Sequence, residues 1–323
     1  MWAYVVRKFL LTIPILLGIV FLTFVLFKYI AADPAVAYAG KLKSPEEIEA
    51  IRHKLELDKP RWINIHEACA QQSFWPVFNS QFFDALRFHY PQSIRYQESV
   101  WRLFARKAPV SLAIQFPVFI IELGLQLAIA LYVASHRGRP ADYLATILAV
   151  LGMSIPALSI YMAAQWFFGA CLRWFPVAGW DTGFYALHFM ALPILVSVIM
   201  GLGGGTRFYR TIVLEEINAD YVRTARAKGV QRREVLLTHV LRNVMIPVVT
   251  NTIVALPLLF TGALLLERLF QIPGFGALLV DAIGDQDQPV VMALVTVTSI
   301  IYCLALVATD VCYAIVDPRV SLK

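Results

Sequence analysis

Three carboxylates stand inside or at the ends of otherwise apolar stretches: Glu122, Glu267 and Asp310. An ionisable side chain in such a setting is costly to keep and reads first as functional. Glu122 could carry a proton, which is the chemistry of a secondary transporter, or it could tie two helices together by a hydrogen bond. No buried base accompanies these acids to complete a relay, which favours the structural role. The other patterns with chemical promise are broken. His66-Glu67 begins like H-E-x-x-H, but the fifth position is Ala70, so no pair of zinc ligands forms on one helix face. Gly201-Leu-Gly-Gly-Gly205 closes an apolar run and lacks the preceding strand and following helix of a dinucleotide site. No G-x-x-x-x-G-K-[ST] loop occurs, so nothing in the chain cradles a nucleotide triphosphate. Cys69, Cys171, Cys303 and Cys312 form no C-x-x-C pair, and a Cys69–Cys171 bridge is conceivable only if both face an oxidising compartment. The expectation is a chain with no catalytic, cofactor-binding or metal-ligating residue.

The elements that must carry these residues are membrane spans. Of 323 residues, 59% are hydrophobic and 15% charged, whereas soluble domains run at roughly 45–50% apolar and about 25% charged. The surplus must face something other than water. Six stretches approach the roughly 20 apolar residues that a span requires: Phe9–Tyr29, Leu112–Ala134, Leu144–Phe168, Phe189–Leu202 (extending to Tyr185–Thr206 with its weakly polar ends), Val244–Leu266 and Val290–Tyr313. Pro14, Pro117, Pro156, Pro193, Pro247 and Pro257 fall within them, tolerable in a bundle whose neighbours re-satisfy the freed backbone groups. The first stretch is longer than the about 7–15 apolar residues of a signal peptide, so it reads as a retained span.

Orientation follows from Lys and Arg in the short segments. With the N-terminus inside, inner segments carry 14 of them, eight between Arg207 and Arg242, against Arg173 and Arg268 in the short outer loops. Both termini and the 207–243 loop are therefore expected in the cytoplasm. The net charge of +6 is mostly topological, and a nucleic-acid partner is not expected. The predicted organisation is a transmembrane helix over 1–30, an external segment over 31–108, a transmembrane core over 109–317 and a cytoplasmic tail over 318–323. In the external segment, Ser44-Pro45-Glu46-Glu47 is a helix start, followed by Ile48, Ile51 and Leu55 at helical spacing. Its later part is aromatic, with Trp62, Phe74, Trp75, Phe78, Phe82, Phe83, Phe88 and Tyr90. It reads as a lid lying on the bundle, with a docking surface for a delivery protein as the alternative.

Between the fourth and fifth spans, Glu215–Lys228 reads as a helix with Ile217, Tyr221, Val222 and Ala225 near one face. Gly229 supplies a left-handed C-terminal position, and Val230–Val244 reads as a second helix with Val235, Leu236, Val240 and Leu241 on its apolar side. Such a basic amphipathic hairpin could lay its face into a groove of a soluble partner or rest on anionic lipid. Periodicity alone leaves both open.

The run Asp220-Tyr-Val-Arg-Thr-Ala-Arg-Ala-Lys-Gly229, followed by His239-Val-Leu-Arg-Asn243 and Ile246-Pro247, resembles the coupling loop of ABC-importer permeases. Specifically, it is similar to the B-type permease of the oligopeptide/dipeptide/nickel family. Ala32-Asp-Pro34, Leu57-Asp-Lys-Pro60, Ser154-Ile-Pro156, Trp174-Phe-Pro-Val-Ala-Gly179, Phe270-Gln-Ile-Pro-Gly-Phe-Gly276 and Asp310…Tyr313…Asp317-Pro-Arg319 extend the likeness through most of the chain. Departures occur at His89-Tyr-Pro-Gln-Ser93, where the family tends to have Gly-x-Ser, and at Gly203-Gly-Gly205, where it often has ordinary helix formers. The resemblance implies an all-α integral membrane fold of six transmembrane helices, the type I importer architecture, with an external segment between helices 1 and 2. It implies a multi-pass subunit of the bacterial inner membrane, and the ATPase-coupling residues would be Tyr221, Thr224, Ala225, Ala227, Gly229 and His239. The implied partners are a homologous second permease, two cytoplasmic ABC ATPases holding the ATP and Mg, an external substrate-binding protein and membrane lipid. Peptide is the implied cargo, with nickel, a metal chelate or another small solute as alternatives. A proton-coupled secondary transporter using Glu122 is the rival of a different class.

Overall fold

The structure, a computed structural model, describes residues 2–30, 35, 45–54, 57–64, 75–261 and 263–316. Among them every regular element is a helix. Helix α1 (Trp2–Val25) ends in a π-helical turn, Leu26–Ile30. After it come α2 (Pro45–Lys54), a 3-10 turn at Trp75–Phe78 and α3 (Gln81–Leu86). The long α4 (Val100–Ser135) is followed by α5 (Pro140–Ser154) and by α6 (Ala157–Ala164), which continues as a π segment to Cys171. Then come α7 (Tyr185–Ile217), α8 (Asp220–Ala227) and α9, which starts at Arg232–Glu234, passes through a π segment at Val235–Val240 and continues as Leu241–Thr261. Short helices α10 (Leu264–Leu269) and α11 (Phe275–Gly284) lead to α12 (Gln288–Val316).

Among the described residues, five helices are long and apolar enough to cross a membrane: Val6–Tyr29, Val100–Ser135, Tyr185–Ile217, Arg232–Leu256 and Gln288–Cys312. Their apolar side chains stay largely exposed, as Leu10, Leu22 and Ile199 do. A water-soluble fold would hide these side chains; a span needs them against lipid. The expected third span is different. Leu144–Phe168 is not one rod, because α5 and α6 meet at 96° and make a broken span or a re-entrant loop. Pro156 has no N–H to continue the ladder, and its ring drives the preceding residue out of the helical region. Ile155 accordingly sits at φ −89°, ψ 129°. Pro14 and Pro193 remain inside their helices. The expected fifth span is displaced as well. Its helix begins at Arg232 and ends at Thr261, and Leu264–Leu266 belong to the separate α10.

The described chain divides into two compact units. One comprises the described parts of Met1–Pro109 and Ala277–Val307; the other comprises those of Val110–Gly276 and Ala308–Ser321. In the first unit, Val20 and Phe24 of α1 are buried with Ala85 and Met292, and Trp62 and Phe82 pack against them. Phe24 meets Trp62 at 5.0 Å and Phe82 at 5.4 Å, both edge-on, and Trp62 donates its indole N–H to the Tyr29 hydroxyl at 2.5 Å. These aromatics of the 31–108 segment thus cover one end of α1, the arrangement in which edge-to-face rings add to their area burial. His66, Glu67, Cys69, Phe74 and the Asp317-Pro-Arg319 tail lie outside the described residues, as does the side chain of Trp75. In the same unit Ser93 donates to Asp287 at 2.5 Å and Arg95 pairs with Asp285.

The second unit holds two apolar clusters. One gathers Ile114, Val118, Leu192, Val196, Leu266, Phe270 and Ile272. The other gathers Ala130 and Ala134 of α4, Tyr209 and Val213 of α7, Val222 and Ala225 of α8, and Val235, Val240, Val244 and Val248 of α9. At the start of α5, Gly138 (φ +75°) turns the chain, and its N–H donates to Asp142 at 3.0 Å. Asp142 also pairs with Arg210 at 2.7 Å, which fastens α5 to α7.

Candidate functional site

The 207–243 segment is built on one short helix. Where the sequence predicts a single helix over Glu215–Lys228, α7 stops at Ile217, Ala219 is extended at ψ 151°, and α8 begins at Asp220. Asn218 explains the stop. Its side-chain amide donates to the Leu214 carbonyl at 2.9 Å, a local bond that competes with the helical ladder. Asp220 then places a negative charge in the first turn of α8, where the helix dipole favours it. At the other end Gly229 takes φ +79°, its N–H donating to the Arg226 carbonyl at 3.0 Å and the Val230 N–H to the Ala225 carbonyl at 3.3 Å. These paired bonds form the Schellman closure, which glycine allows without the strain of a Cβ. The second arm is not a free helix over Val230–Val244 but the first turns of α9, which run on into the membrane-crossing part.

The apolar face of this hairpin is already used. Val222 and Val240 are completely buried, and Ala225 and Val235 nearly so, among side chains of α4, α7 and α9. It lies neither in an external groove nor on lipid, because the helices of its own bundle fill that side. Arg223, Thr224, Arg226, Ala227, Lys228 and Gly229 form the exposed outer side. Of the residues expected to couple, Thr224, Ala227 and Gly229 are therefore exposed, Ala225 is buried, and Tyr221 and His239 are half-buried. Tyr221 donates its hydroxyl to Glu216 at 2.6 Å, and Asn243 donates to the same carboxylate oxygen at 3.4 Å. One carboxylate thereby joins the end of α7, the start of α8 and the body of α9. Burial pushes the Tyr221 phenol pKa up, and its bond to Glu216 pushes it further, to about 12.

Above this hairpin, α4, α7 and α9 line an open cavity of about 330 Å³. Its polar lining is Gln115, Glu122, Gln126, Tyr209, Asn251 and Thr252. Gln126 donates to Glu122 at 2.6 Å and to the Gly201 carbonyl at 3.0 Å, and Asn251 donates to the Tyr209 hydroxyl at 3.0 Å. The glycines of α7 make room for this group. A Cβ on Gly201 would lie 1.7 Å from the Glu122 carboxylate, and one on Gly205 would lie 2.0 Å from the Gln126 amide carbon. The glycine run thus has a steric purpose, in keeping with the small residues that let membrane helices and their polar groups approach closely. Sequence reasoning singled out Glu122 and the glycines separately but missed their contact, and it missed Gln126, Tyr209 and Asn251. The available signal was the matching four-residue spacing of Glu122 with Gln126 and of Gly201 with Gly205.

Glu267 is buried, in α10 rather than at the end of a span, and it accepts from Ser111 at 2.7 Å. Ser111 accepts in turn from the Phe275 N–H at 2.7 Å. A Cβ at Gly274 would lie 2.4 Å from the Glu267 carboxylate, so this acid holds the Phe270–Gly276 turn in place. Asp310 is half-buried in α12. Cys171 is an exposed free thiol, and its suggested partner Cys69 is outside the described residues.

Residues 126–322 match the family described as binding-protein-dependent transport system inner membrane component, and residues 1–115 match the N-terminal part described for such membrane components. The chain is 32% identical over 324 residues to a putative peptide transport system permease protein of Brucella suis biovar 1 (strain 1330), covering 99% of both chains. It is 29% identical to the oligopeptide transport system permease protein AppB of Bacillus subtilis (strain 168), over 99% of this chain and 100% of that one. It is 31% identical to the dipeptide transport system permease protein DppB of Lactococcus lactis subsp. cremoris (strain MG1363), over 99% of both.

Proposed function

Because the chain belongs to the family of binding-protein-dependent transport system inner membrane components, we propose that it is a permease subunit of an ATP-driven importer whose cargo is peptide. The observation that carries this reading is likeness over 99% of this chain to permeases named for peptide, oligopeptide and dipeptide transport. The chain is a transport subunit rather than a catalytic one. It works beside a homologous second permease, two cytoplasmic ATPases that bind the ATP and Mg, and an external binding protein. It resides in the bacterial inner membrane with both termini in the cytoplasm, an orientation supported by the 14 inner Lys and Arg residues. The segments 1–30, 31–108, 109–317 and 318–323 act as first span, external segment, transmembrane core and cytoplasmic tail.

The coupling element in this reading is α8 with its Gly229 turn. Thr224, Ala227 and Gly229, flanked by Arg223, Arg226 and Lys228, present the outer surface to an ATPase groove. Ala225 and Tyr221 fix α8 to the bundle, and His239 lies on the adjoining turn of α9. The geometry supports transmission because the hairpin packs on α4, α7 and α9, the three helices that frame the cavity. A displacement of α8 on closure of the ATPases must move those helices, since packed interfaces shift as units rather than deform continuously. The test is uptake of a labelled peptide by proteoliposomes containing both permeases, both ATPases and the binding protein. Uptake should require ATP inside, persist when a protonophore collapses the proton gradient, and vanish when this chain is omitted. Immediate loss of uptake with the protonophore, ATP held constant, would replace this reading with proton coupling through Glu122.

A further inference from the structure

The cavity between α4, α7 and α9 has a lining whose charge is one-sided. Among the described residues it holds one carboxylate, Glu122, and no lysine, arginine or histidine. Glu122 accepts a hydrogen bond from the neutral amide of Gln126. Among the described residues no ion pair balances it, and burial at a membrane site makes an unbalanced charge costly. The Gln126 amide is itself held at the Gly201 carbonyl, so the pair is fixed rather than free to swing away. Nor is the space incidental. Two glycines stand where any Cβ would strike Glu122 or Gln126. Thr252 of α9 lines the same cavity with a buried hydroxyl oxygen that has no hydrogen-bond partner among the described residues. A volume of about 330 Å³ lies at the lower end of the roughly 300–1,000 Å³ that small-molecule sites occupy. A fixed anion, a free hydroxyl oxygen, no competing cation among the described lining residues and room beside them together describe a site for a compact donor-only cation.

We propose that this cavity is a subsite on the translocation path for a protonated primary amine of the cargo, with Glu122 as its counter-ion. A primary ammonium has three N–H donors and no acceptor, which matches a carboxylate in a cavity that also offers the Thr252 hydroxyl oxygen. Gln126 is a positioning residue, and Gly201 and Gly205 keep the carboxylate's side of the cavity open. The inference rests on the peptide-importer reading, since an unblocked peptide carries such an amine at neutral pH. Binding here is weak by necessity, because a path site must release what it holds.

The test uses the complete complex of both permeases and both ATPases without the binding protein, so that any selectivity read is that of the membrane part. Two probes are compared at pH 7: trialanine amide, which carries the ammonium, and N-acetyl-trialanine amide, which does not. At saturating concentration trialanine amide should raise the melting temperature of the wild-type complex by about 2 °C. It should do the same for Glu122→Asp and nothing for Glu122→Gln, and the acetylated probe should shift none of them. An equal shift by both probes, a full shift in Glu122→Gln, or no shift in wild type overturns the subsite. Should Glu122→Gln fail to assemble, the two-probe comparison on wild type still decides. ATP-driven uptake of trialanine with the binding protein restored is read separately. Uptake without a probe shift removes the subsite and leaves the importer; a shift without uptake removes the peptide reading instead.

Discussion

The Tyr221 phenol is stabilised in its neutral form, because burial and the adjacent Glu216 carboxylate both oppose its ionisation. A folded-state pKa raised above the ordinary value means that its contribution is complete below about pH 10 and is lost as pH rises through about 12. Tyr221→Phe should therefore weaken the anchoring of α8 by about 1 kcal/mol and lower peptide uptake a few-fold. The ratio of variant to wild-type uptake should stay constant from pH 6 to pH 9. A ratio that climbs to one across that interval would mean that the phenol ionises there and that the bond to Glu216 is not what holds α8. The contact is invisible in sequence, because Glu216 and Tyr221 are five apart and would lie on different faces of one continuous helix. Only the break at Asn218–Ala219 brings them together. Likewise the meeting of Glu122 with Gly201 joins residues far apart in the chain, and no local pattern states it.

Between elements, what could be read depended on whether local chemistry alone decided the outcome. Gly229 was legible, since a helix followed by glycine and a second helix leaves a left-handed turn as the simplest closure, and the observed φ is +79°. The break at Pro156 was not legible as a break. Pro14 and Pro193 have the same local chemistry and stay within helices, so neighbours decide which proline bends the chain. The amphipathic stripe of the hairpin showed that a face must be buried but not against what; Ala225 turned out to face inward. Two variants separate turn from packing. Gly229→Val should strain the backbone by about 1–2 kcal/mol and re-aim α9's entry, with no clash to relieve, because among the described residues beyond its chain neighbours nothing lies within 4 Å of the added Cβ. The permease pair should still assemble, while co-purification of the ATPases and uptake both fall at least tenfold. Ala225→Asp should act differently, placing an unpaired charge among Val213, Val235 and Val240 and loosening α8 itself. Limited proteolysis within residues 218–231 should rise in Ala225→Asp and not in Gly229→Val. Equal proteolysis in both would mean that the turn and the packing are one device.

For the whole molecule, the asymmetry of basic residues predicts which side each loop occupies. A reporter joined at Asn79 should be translocated and one joined at Gln231 should remain cytoplasmic, read by paired enzymatic reporters that are active on opposite sides. A cytoplasmic reporter at Asn79 would reverse the assigned orientation. The broken α5–α6 pair makes this measurement informative, because a re-entrant pair in place of a span would put Asn79 and Gln231 on the same side. The π segment of α9 bears on how the chain tolerates a change in length. Val235, Val240, Val244 and Val248 are all buried, at spacings of five, four and four. An α-helix alone would bring a residue four positions on beneath its predecessor, and the i→i+5 turn absorbs the fifth. That turn is in effect a single inserted residue whose register error has been confined locally. Excising exposed Thr238 should heal the helix to a uniform spacing of four and keep all four valines facing inward. A one-codon deletion there should thus be accepted, with assembly retained, whereas the same deletion at Thr250, beyond the π turn, should rotate the rest of the helix by about 100° and abolish assembly.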